Sequence, residues 1–218
     1  MTAATELSHI HRFVPGSDPR KPPLVLLHGT GGDETDLLPL GRAVAPGAAL
    51  LSVRGKVLEG GMPRFFRRLA EGVFDHEDVR RRANELADFV AEARHAYALG
   101  APIAVGFSNG ANIAAAMLFL RPEALAGAAL LRAMTPLPEP PIGPLAAKPV
   151  LILSGAVDPI VPVEDAARLA ARLSAKGAEV QHRTVPVGHG LSQADVAITK
   201  GWLDAVGLHA GAAHAPAG

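Results

Sequence analysis

Three residues with complementary chemistry each follow a strand-like segment of the sequence. Ser108 stands between Gly106 and Gly110, Asp158 precedes a Pro-Ile-Val-Pro stretch, and His189 is flanked by glycines. A serine hydroxyl is a weak nucleophile at neutral pH, so a base must take its proton, and an imidazole with a pKa of about 6.5 suits that task. A carboxylate then fixes the imidazole tautomer and stabilises its cationic form. These residue types predict nucleophilic catalysis by Ser108, with His189 as the base and Asp158 as its partner.

The Gly-x-Ser-x-Gly pattern around Ser108 lies between a strand-like and a helix-like segment. Residues 103–105 suit a buried strand, and residues 111–120 are apolar almost all round, as expected for a helix packed on a sheet. In this context the pattern predicts a nucleophile elbow, a turn so tight that a side chain at either glycine would clash. A sequence with 23 glycines can contain the pattern by chance. The prediction therefore depends on the flanking segments and on the other two residues.

Strand-like and helix-like segments alternate along the chain, which predicts an α/β fold with a mostly parallel central sheet and helices on both faces. The carboxyl ends of parallel strands lie at one edge, so Ser108, Asp158 and His189 are expected there together. Their order in the chain is that of α/β-hydrolases and differs from the orders in chymotrypsin and subtilisin. The predicted strands are residues 9–14, 24–27, 48–53, 103–105, 125–131, 148–154 and 179–185, and the predicted helices are residues 36–44, 75–97, 111–120, 163–175 and 191–206.

A second glycine-rich turn follows the strand predicted at residues 24–27. The sequence His28-Gly-Thr-Gly-Gly32 has neither the lysine and spacing of a phosphate-binding loop nor a Gly-x-Gly-x-x-Gly pattern. In hydrolases of this layout such a turn supplies one donor to the oxyanion of the tetrahedral intermediate. We expect the backbone amides of Thr30 and of Asn109, the residue after the serine, to form this oxyanion hole. His28 is expected to organise the turn rather than to act as the base.

The substrate pocket is expected to involve residues 54–68, which we predict as a long, partly irregular loop. Its apolar side chains would line the pocket or simply cover one end of the core. Arg64, in the same segment, would bind a carboxylate or phosphate group of the substrate or would lie in solvent. The predicted pocket residues are Met62, Phe65, Phe66, Met134, Ile160 and Leu191.

The length of the chain and one proline-rich connection define the expected domain organisation. At 218 residues the chain can form one well-buried domain, and we expect a single domain over residues 1–218 in which residues 208–218 form a flexible tail. The connection at residues 132–144 is too short to hold a helical cap domain. The site is therefore expected to be open.

Charge and composition exclude several classes of function. Basic and acidic side chains number 21 each, so no net charge attracts nucleic acid or an anionic membrane, and neither partner is expected. The sequence has no cysteine, which excludes disulfides, thiolate metal sites and a cysteine nucleophile. His9 and His11 alternate on one face, but two histidines without a third ligand favour an exposed edge pair over a metal site. No metal and no other cofactor are expected.

The N-terminal residues lack the basic and apolar regions of a signal peptide. No apolar run approaches the roughly 20 residues that span a bilayer. We therefore expect a cytoplasmic protein without stable membrane association, either a monomer or a homodimer.

Four motifs together resemble the carboxylesterase/phospholipase family of α/β-hydrolases, which includes acyl-protein thioesterases and small bacterial esterases. The motifs are His28-Gly-Thr-Gly-Gly-Asp, Gly106-Phe-Ser-Asn-Gly, Val157-Asp-Pro-Ile-Val-Pro and Gly188-His-Gly-Leu, and they cover nearly the whole chain in order. The resemblance implies an α/β-hydrolase fold without a cap domain. It also implies a serine hydrolase that cleaves carboxylic esters through an acyl-enzyme and needs no cofactor.

By the same resemblance, Thr30 takes the place of the family's oxyanion-loop residue, and Asn109 takes the place that glutamine often holds after the serine. Residues 62–66 resemble the family's loop beside the acyl pocket. Arg67 and Arg68 follow it, where thioesterase members tend to carry an acidic residue. The expected substrates are small esters with short or medium acyl chains. The alternatives are a lysophospholipase or acyl thioesterase, an enzyme for oligomeric esters, and a non-catalytic ligand-binding module.

Overall fold

The computed structural model describes residues 7–138 and 143–212, with the backbone alone for residues 208–212. Its strands are β1 (His11–Val14), β2 (Leu24–Leu27), β3 (Leu50–Val53), β4 (Val57–Glu59), β5 (Met62–Arg64), β6 (Arg68–Ala70), β7 (Val73–Phe74), β8 (Ile103–Phe107), β9 (Gly127–Leu131), β10 (Pro149–Gly155) and β11 (Glu179–Val185). Its helices are α1 (Leu38–Val44), α2 (His76–Ala96), α3 (Asn109–Leu120), α4 (Val163–Ala175) and α5 (Gln193–Ala212), with a short 3₁₀ turn at Pro122–Ala124.

Seven of the strands form one sheet in the order β1-β3-β2-β8-β9-β10-β11. Strand β1 is antiparallel to β3, and every other neighbouring pair is parallel. Parallel neighbours can be reached only by a crossover, and helices α1 to α4 lie in these connections. The connection from β9 to β10 differs, because its described residues contain no helix. The carboxyl ends of β2, β8, β10 and β11 therefore lie at the same edge of the sheet, which confirms the predicted mostly parallel architecture.

The sheet is buried on both faces by helices. Successive side chains of a strand point to opposite faces, so Val25 and Leu27 pack in a cluster with α2, α3 and α4. Leu24 and Leu26 pack on the other side with α1 and α5. This two-sided burial explains why inner strands such as β2 and β9 read as continuous apolar runs, and it confirms the prediction of helices on both faces.

Two small hairpins replace the irregular loop predicted over residues 54–68. Strands β4 and β5 pair antiparallel, as do β6 and β7. Gly60 and Gly61 turn the first hairpin with φ of 57° and 82°, and Gly72 turns the second with φ of 71°. The strands have only two or three residues each, too few for an alternating pattern to be recognised in the sequence.

The C-terminal helix is longer than predicted, since α5 continues to Ala212 and includes part of the predicted flexible tail. Residues 213–218, the rest of that tail, lie outside the described residues. Within the described residues no helical cap interrupts the sheet connections, and no helix is long and apolar enough to cross a membrane.

Candidate active site

Ser108 occupies the turn between β8 and α3 in a strained backbone conformation, with φ of 50° and ψ of −114°. A Cβ atom at Gly106 would lie 2.5 Å from the carbonyl oxygen of Gly110, and one at Gly110 would lie 1.9 Å from that of Leu27. No side chain fits at either position, so this is the tight elbow that the sequence predicts. The backbone amide of Ser108 donates to the carbonyl of Leu131 at 2.8 Å, which ties the strained residue to the neighbouring strand.

His189 lies between Ser108 and Asp158. Its Nδ1 atom is 2.9 Å from Oδ2 of Asp158, and its Nε2 atom is 2.9 Å from Oγ of Ser108. An ionised carboxylate can only accept, so Nδ1 carries the proton in the neutral ring and Nε2 is left to accept from the serine hydroxyl. The structure thus brings together the three residues that the sequence predicts, from the ends of β8, β10 and β11.

The Asp158 carboxylate is fully buried and held by several donors. The backbone amides of Ile160 and Val161 donate to its Oδ1 atom at 2.8 and 3.0 Å. Burial alone would raise the pKa of Asp158, but these two amides and His189 outweigh it and hold the pKa below its usual value. Asp158 therefore stays ionised and remains an acceptor for the Nδ1 proton.

Arg132 forms hydrogen bonds with the backbone of the loop that carries His189. Its side chain is completely buried and donates to the carbonyls of Gly188 and Gly190, at 3.1 and 3.2 Å. These two residues flank His189 directly. The same guanidinium makes a two-pronged ion pair with Asp195 of α5, at 2.9 Å for both bonds. Arg132 thus joins the backbone on either side of His189 to the last helix.

The sequence analysis missed Arg132 and Asp195 as parts of the site. Burial would raise the pKa of Asp195, but Arg132 and the Ser192 hydroxyl and amide outweigh it and lower that pKa. The available signal was a cation directly after a wholly apolar strand, at the edge where Ser108 also lies. A charge in that position needs a buried partner.

The two predicted oxyanion residues are Thr30 and Asn109, and both line the same pocket as Ser108. Asn109 is the first residue of α3, so its backbone amide has no partner within the helix. Thr30 is held in place by its neighbours: the amide of Gly31 donates to the carbonyl of Pro63 at 2.9 Å, and Nη1 of Arg64 donates to the Thr30 hydroxyl at 2.9 Å. The first hairpin therefore fixes the turn that carries Thr30.

His28 organises this turn, as predicted. Its Nδ1 atom lies 2.6 Å from the carbonyl of Gly29, and its Nε2 atom accepts from the amide of Gly55 at 3.0 Å. This pattern requires the neutral ring, because a protonated imidazole has no acceptor. Burial lowers the pKa of His28, and Arg54 acts in the same direction, against the Gly29 carbonyl and two nearby aspartates.

An open cleft of about 330 Å³ runs past Ser108 and His189. Its polar lining residues include Thr30, Arg64, Arg68, Glu71, Asn109 and Asn112, and its apolar lining residues are Phe74, Phe107, Met134, Ile160 and Val161. Three of the polar side chains, Arg64, Asn109 and Asn112, are almost completely buried. The cleft is therefore mixed in character, with fixed polar groups among apolar ones.

Only part of the predicted pocket lines this cleft. Met134 and Ile160 do so, but Phe65 and Phe66 are 3% and 0% exposed and belong to the core. Their prediction as pocket residues is wrong, because the first hairpin turns both rings inward, where Phe66 packs edge-on against Phe74 at 5.1 Å between ring centroids. The structure supports the alternative prediction, that these rings cover one end of the core.

Met62 and Leu191 are exposed and lie outside the cleft lining. Met62 instead sits beside Gly31, 3.6 Å from where a Cβ atom at that glycine would lie. Arg64 does not lie in solvent, which was one of the two alternatives expected for it, because it is only 3% exposed. It is the residue of the hairpin that reaches the cleft.

The two N-terminal histidines differ from the expected exposed edge pair. His9 is buried and packs on Phe89, with 4.7 Å between ring centroids. His11 lies 2.7 Å from the hydroxyl of Tyr97 through its Nε2 atom. In residues 7–138 and 143–212 no group of three or more His, Asp or Glu side chains is placed to hold a metal ion.

A mostly parallel sheet with a strained serine elbow, a neighbouring histidine and a buried aspartate defines an α/β-hydrolase. The model of the phospholipase/carboxylesterase family matches residues 9–206. The chain belongs to this family and is a carboxylesterase-type hydrolase.

Individual proteins of known sequence or structure agree with this assignment. MhqD of Bacillus subtilis (strain 168) is 47% identical over 181 residues, which are 82% of this chain and 90% of MhqD. The crystal structure of the Bacillus cereus carboxylesterase is 46% identical, covers 91% of this chain and 94% of its own, and superposes with a TM-score of 0.89. The structure of YahD with malic acid is 29% identical, covers 90% of this chain and 98% of the YahD chain, and superposes with a TM-score of 0.85.

Proposed function

We propose that the protein hydrolyses carboxylic esters of short or medium acyl chain length through a covalent acyl-enzyme on Ser108. The observation that carries the proposal is the position of His189, at 2.9 Å from both the Ser108 hydroxyl and the Asp158 carboxylate. The membership of a family of ester hydrolases supports the reaction class.

In the first half of the reaction, Oγ of Ser108 attacks the ester carbonyl while Nε2 of His189 takes the hydroxyl proton. The carbonyl oxygen becomes an oxyanion, which accepts from the amides of Thr30 and Asn109. When the intermediate collapses, the bond between carbonyl carbon and alcohol oxygen breaks, and His189 gives its proton to the leaving alcohol. The acyl group remains on Ser108.

In the second half, His189 takes a proton from water, and the resulting hydroxide attacks the acyl carbon. The acid leaves, and the proton returns to Oγ of Ser108. Asp158 keeps the imidazole in the required tautomer throughout and stabilises its cationic form. Loss of one oxyanion donor typically costs about 10²- to 10³-fold in rate.

The cleft supports short or medium acyl chains. Its volume of about 330 Å³ is at the small end of ligand pockets, which run from roughly 300 to 1,000 Å³. Arg64, Arg68 and Glu71 line it, and a long hydrocarbon would have to desolvate these charges without pairing them. The structure of YahD with malic acid, a small acid, is consistent with a compact acyl group.

The test is a chain-length series of p-nitrophenyl esters from acetate to palmitate. We expect the highest kcat/KM at acetate or butyrate, and a loss of about 10⁶-fold in Ser108→Ala, the size found for a serine nucleophile. Ser174→Ala, at an exposed serine near the end of α4, is the matched control and should retain activity. Ser108→Ala with wild-type turnover would contradict the proposal. Faster hydrolysis of long-chain thioesters or lysophospholipids would replace the ester assignment with one of the alternatives.

A further inference from the structure

Arg64 is a buried cation whose hydrogen-bonding capacity is not used up by the protein. Its Nε atom donates to the carbonyl of Phe66 at 3.3 Å, and Nη1 donates to the Thr30 hydroxyl at 2.9 Å. No described residue accepts from Nη2. Since Arg64 lines the cleft and is only 3% exposed, its free N–H groups lack both a protein acceptor and full access to water.

The carboxylates near Arg64 also pair with Arg68, so the guanidinium of Arg64 has no ion-pair partner of its own among the described residues. Glu59 lies 3.3 Å from Arg64, but the same carboxylate is 2.8 Å from Arg68. Glu71, whose side chain is 68% exposed, pairs with Arg68 at 3.2 Å. Burial lowers the pKa of Arg64, and the neighbouring Arg68 acts in the same direction against Glu59 and Glu71. A carboxylate of a bound ligand at the cleft end of Arg64 would thus give this cation an ion-pair partner of its own.

Two almost completely buried amide side chains, Asn109 and Asn112, also line the cleft. Oδ1 of Asn109 accepts from the amide of Phe65 at 2.7 Å, which leaves its Nδ2 atom buried with no partner in the described structure. Oδ1 of Asn112 likewise accepts from the amide of Met134 at 2.7 Å. An unpaired buried donor is costly unless a ligand satisfies it. Polar lining residues of this kind suit oxygen atoms of a ligand better than methylene groups.

We propose that the preferred substrates are esters that carry a carboxylate a few bonds from the scissile carbonyl, and that Arg64 binds this carboxylate. The inference rests on the proposed ester hydrolysis at Ser108. Arg64 donates a hydrogen bond to the hydroxyl of Thr30, and the backbone amide of Thr30 is the proposed donor to the oxyanion. The carboxylate and the carbonyl oxygen of the substrate are therefore bound by adjacent groups. The planar guanidinium suits a carboxylate because two N–H groups can point at two oxygens.

The test compares charged esters with neutral esters of similar size. Monoethyl succinate against ethyl pentanoate places the carboxylate on the acyl side, and acetoxyacetate against propyl acetate places it on the alcohol side, with hydrolysis followed by pH-stat titration. We expect wild type to favour the charged ester of at least one pair in kcat/KM. Arg64→Gln should lower that charged-to-neutral ratio by about 10- to 100-fold, the usual range for a hydrogen bond to a charged group.

The ratio isolates substrate recognition, because any loss that Arg64→Gln causes through Thr30 affects both esters of a pair. Arg64→Lys, which keeps the charge, should retain part of the ratio. Arg67→Gln is the matched control, since Arg67 is exposed, pairs with Asp75 and lies outside the cleft lining; its ratio should equal that of wild type. A wild-type ratio at or below one for both pairs would overturn the inference, even if the Arg64 variants do not fold.

A binding measurement separates failure of the inference from failure of the proposed function. Calorimetric titration of succinate into Ser108→Ala should show binding that weakens at least tenfold when Arg64→Gln is added, while binding of the neutral butyramide changes less. Wild type that hydrolyses the neutral esters but shows no Arg64-dependent ratio would overturn the carboxylate site alone. Wild type that hydrolyses no ester would overturn the proposed function, and succinate binding would then decide the carboxylate site.

Discussion

The two sides of the cleft differ in how completely their polar groups are paired. On the histidine side, Asp158 accepts from two amides and from His189, and the guanidinium of Arg132 has an acceptor for each of its three nitrogens. On the hairpin side, Arg64 and Asn109 each keep donors that no described residue accepts.

We propose that this difference reflects separate roles for the two sides, catalysis at His189 and substrate recognition at Arg64. A general base works only if its orientation is fixed before the substrate arrives, so its supporting groups are satisfied within the protein. Groups that recognise a substrate must keep part of their capacity for it. Complete pairing around His189 and incomplete pairing around Arg64 are thus the expected signs of a catalytic side and a recognition side.

Among the groups that support His189 and Arg64, the largest effect is expected from Asp158→Asn. An amide at this position removes the acceptor that fixes the tautomer of His189, and the corresponding change in a serine protease lowers kcat by about 10⁴-fold. The variant should keep the fold and the KM within a few-fold, as measured with p-nitrophenyl acetate and by circular dichroism. Asp88→Asn, at an exposed aspartate of α2, is the control and should behave as wild type. Near-normal turnover of Asp158→Asn would mean that another acid orients the histidine.

The buried ion pair of Arg132 and Asp195 should give the next largest effect. Removing one partner leaves the other charge buried and unpaired, which typically costs about 3–5 kcal/mol. Arg132→Met and Asp195→Leu should each lower the free energy of unfolding by about this amount, measured by urea denaturation. The double variant should lose less than the sum of the two, since it leaves no unpaired charge. Additive losses would show that the two side chains do not act as a pair.

A smaller effect is expected from His28. Its ring links Gly55, just before the first hairpin, to Gly29 in the turn that carries Thr30. Burial lowers its pKa below the value of about 6.5 that it has in the unfolded chain. The unfolded state therefore binds a proton that the folded state excludes, so stability falls as the pH drops below about 6.5, by up to about 1.4 kcal/mol per pH unit for one group.

The matched variant is His28→Gln, which keeps an acceptor for the Gly55 amide but does not titrate. Between pH 7.5 and 5.5, the unfolding free energy of wild type should fall by about 1 kcal/mol more than that of the variant. Other buried histidines, such as His9, contribute equally to both proteins and cancel. An identical pH dependence would show that His28 is not held neutral by the fold.

The sequence predicted the fold and the meeting of Ser108, Asp158 and His189 because each rests on local information. Apolar runs mark buried strands, glycines mark the elbow, and the carboxyl ends of parallel strands share an edge. Helix α4 and strand β11 were predicted with the bounds that the structure gives. Where the residue types and spacing were specific, tertiary contacts did not need to be known.

The hairpin side could not be predicted in this way. Whether Phe65 or Arg64 faces the cleft depends on the direction in which a three-residue strand presents alternate side chains, and that is set by pairing with β4 and by burial against the core. Three of the partners of Arg132, namely Gly188, Gly190 and Asp195, lie more than 50 residues away in the chain. Contacts of this kind leave no periodic trace in one sequence.

The most direct test of the central claim, nucleophilic catalysis by Ser108, is intact-mass analysis after treatment with a fluorophosphonate. The protein should gain the mass of one phosphonyl group, and peptide mapping should place it on Ser108. Ser108→Ala should gain none, while Ser174→Ala should be labelled as wild type. Folded wild type that stays unlabelled and hydrolyses no ester would contradict the claim and make the elbow part of a ligand-binding scaffold.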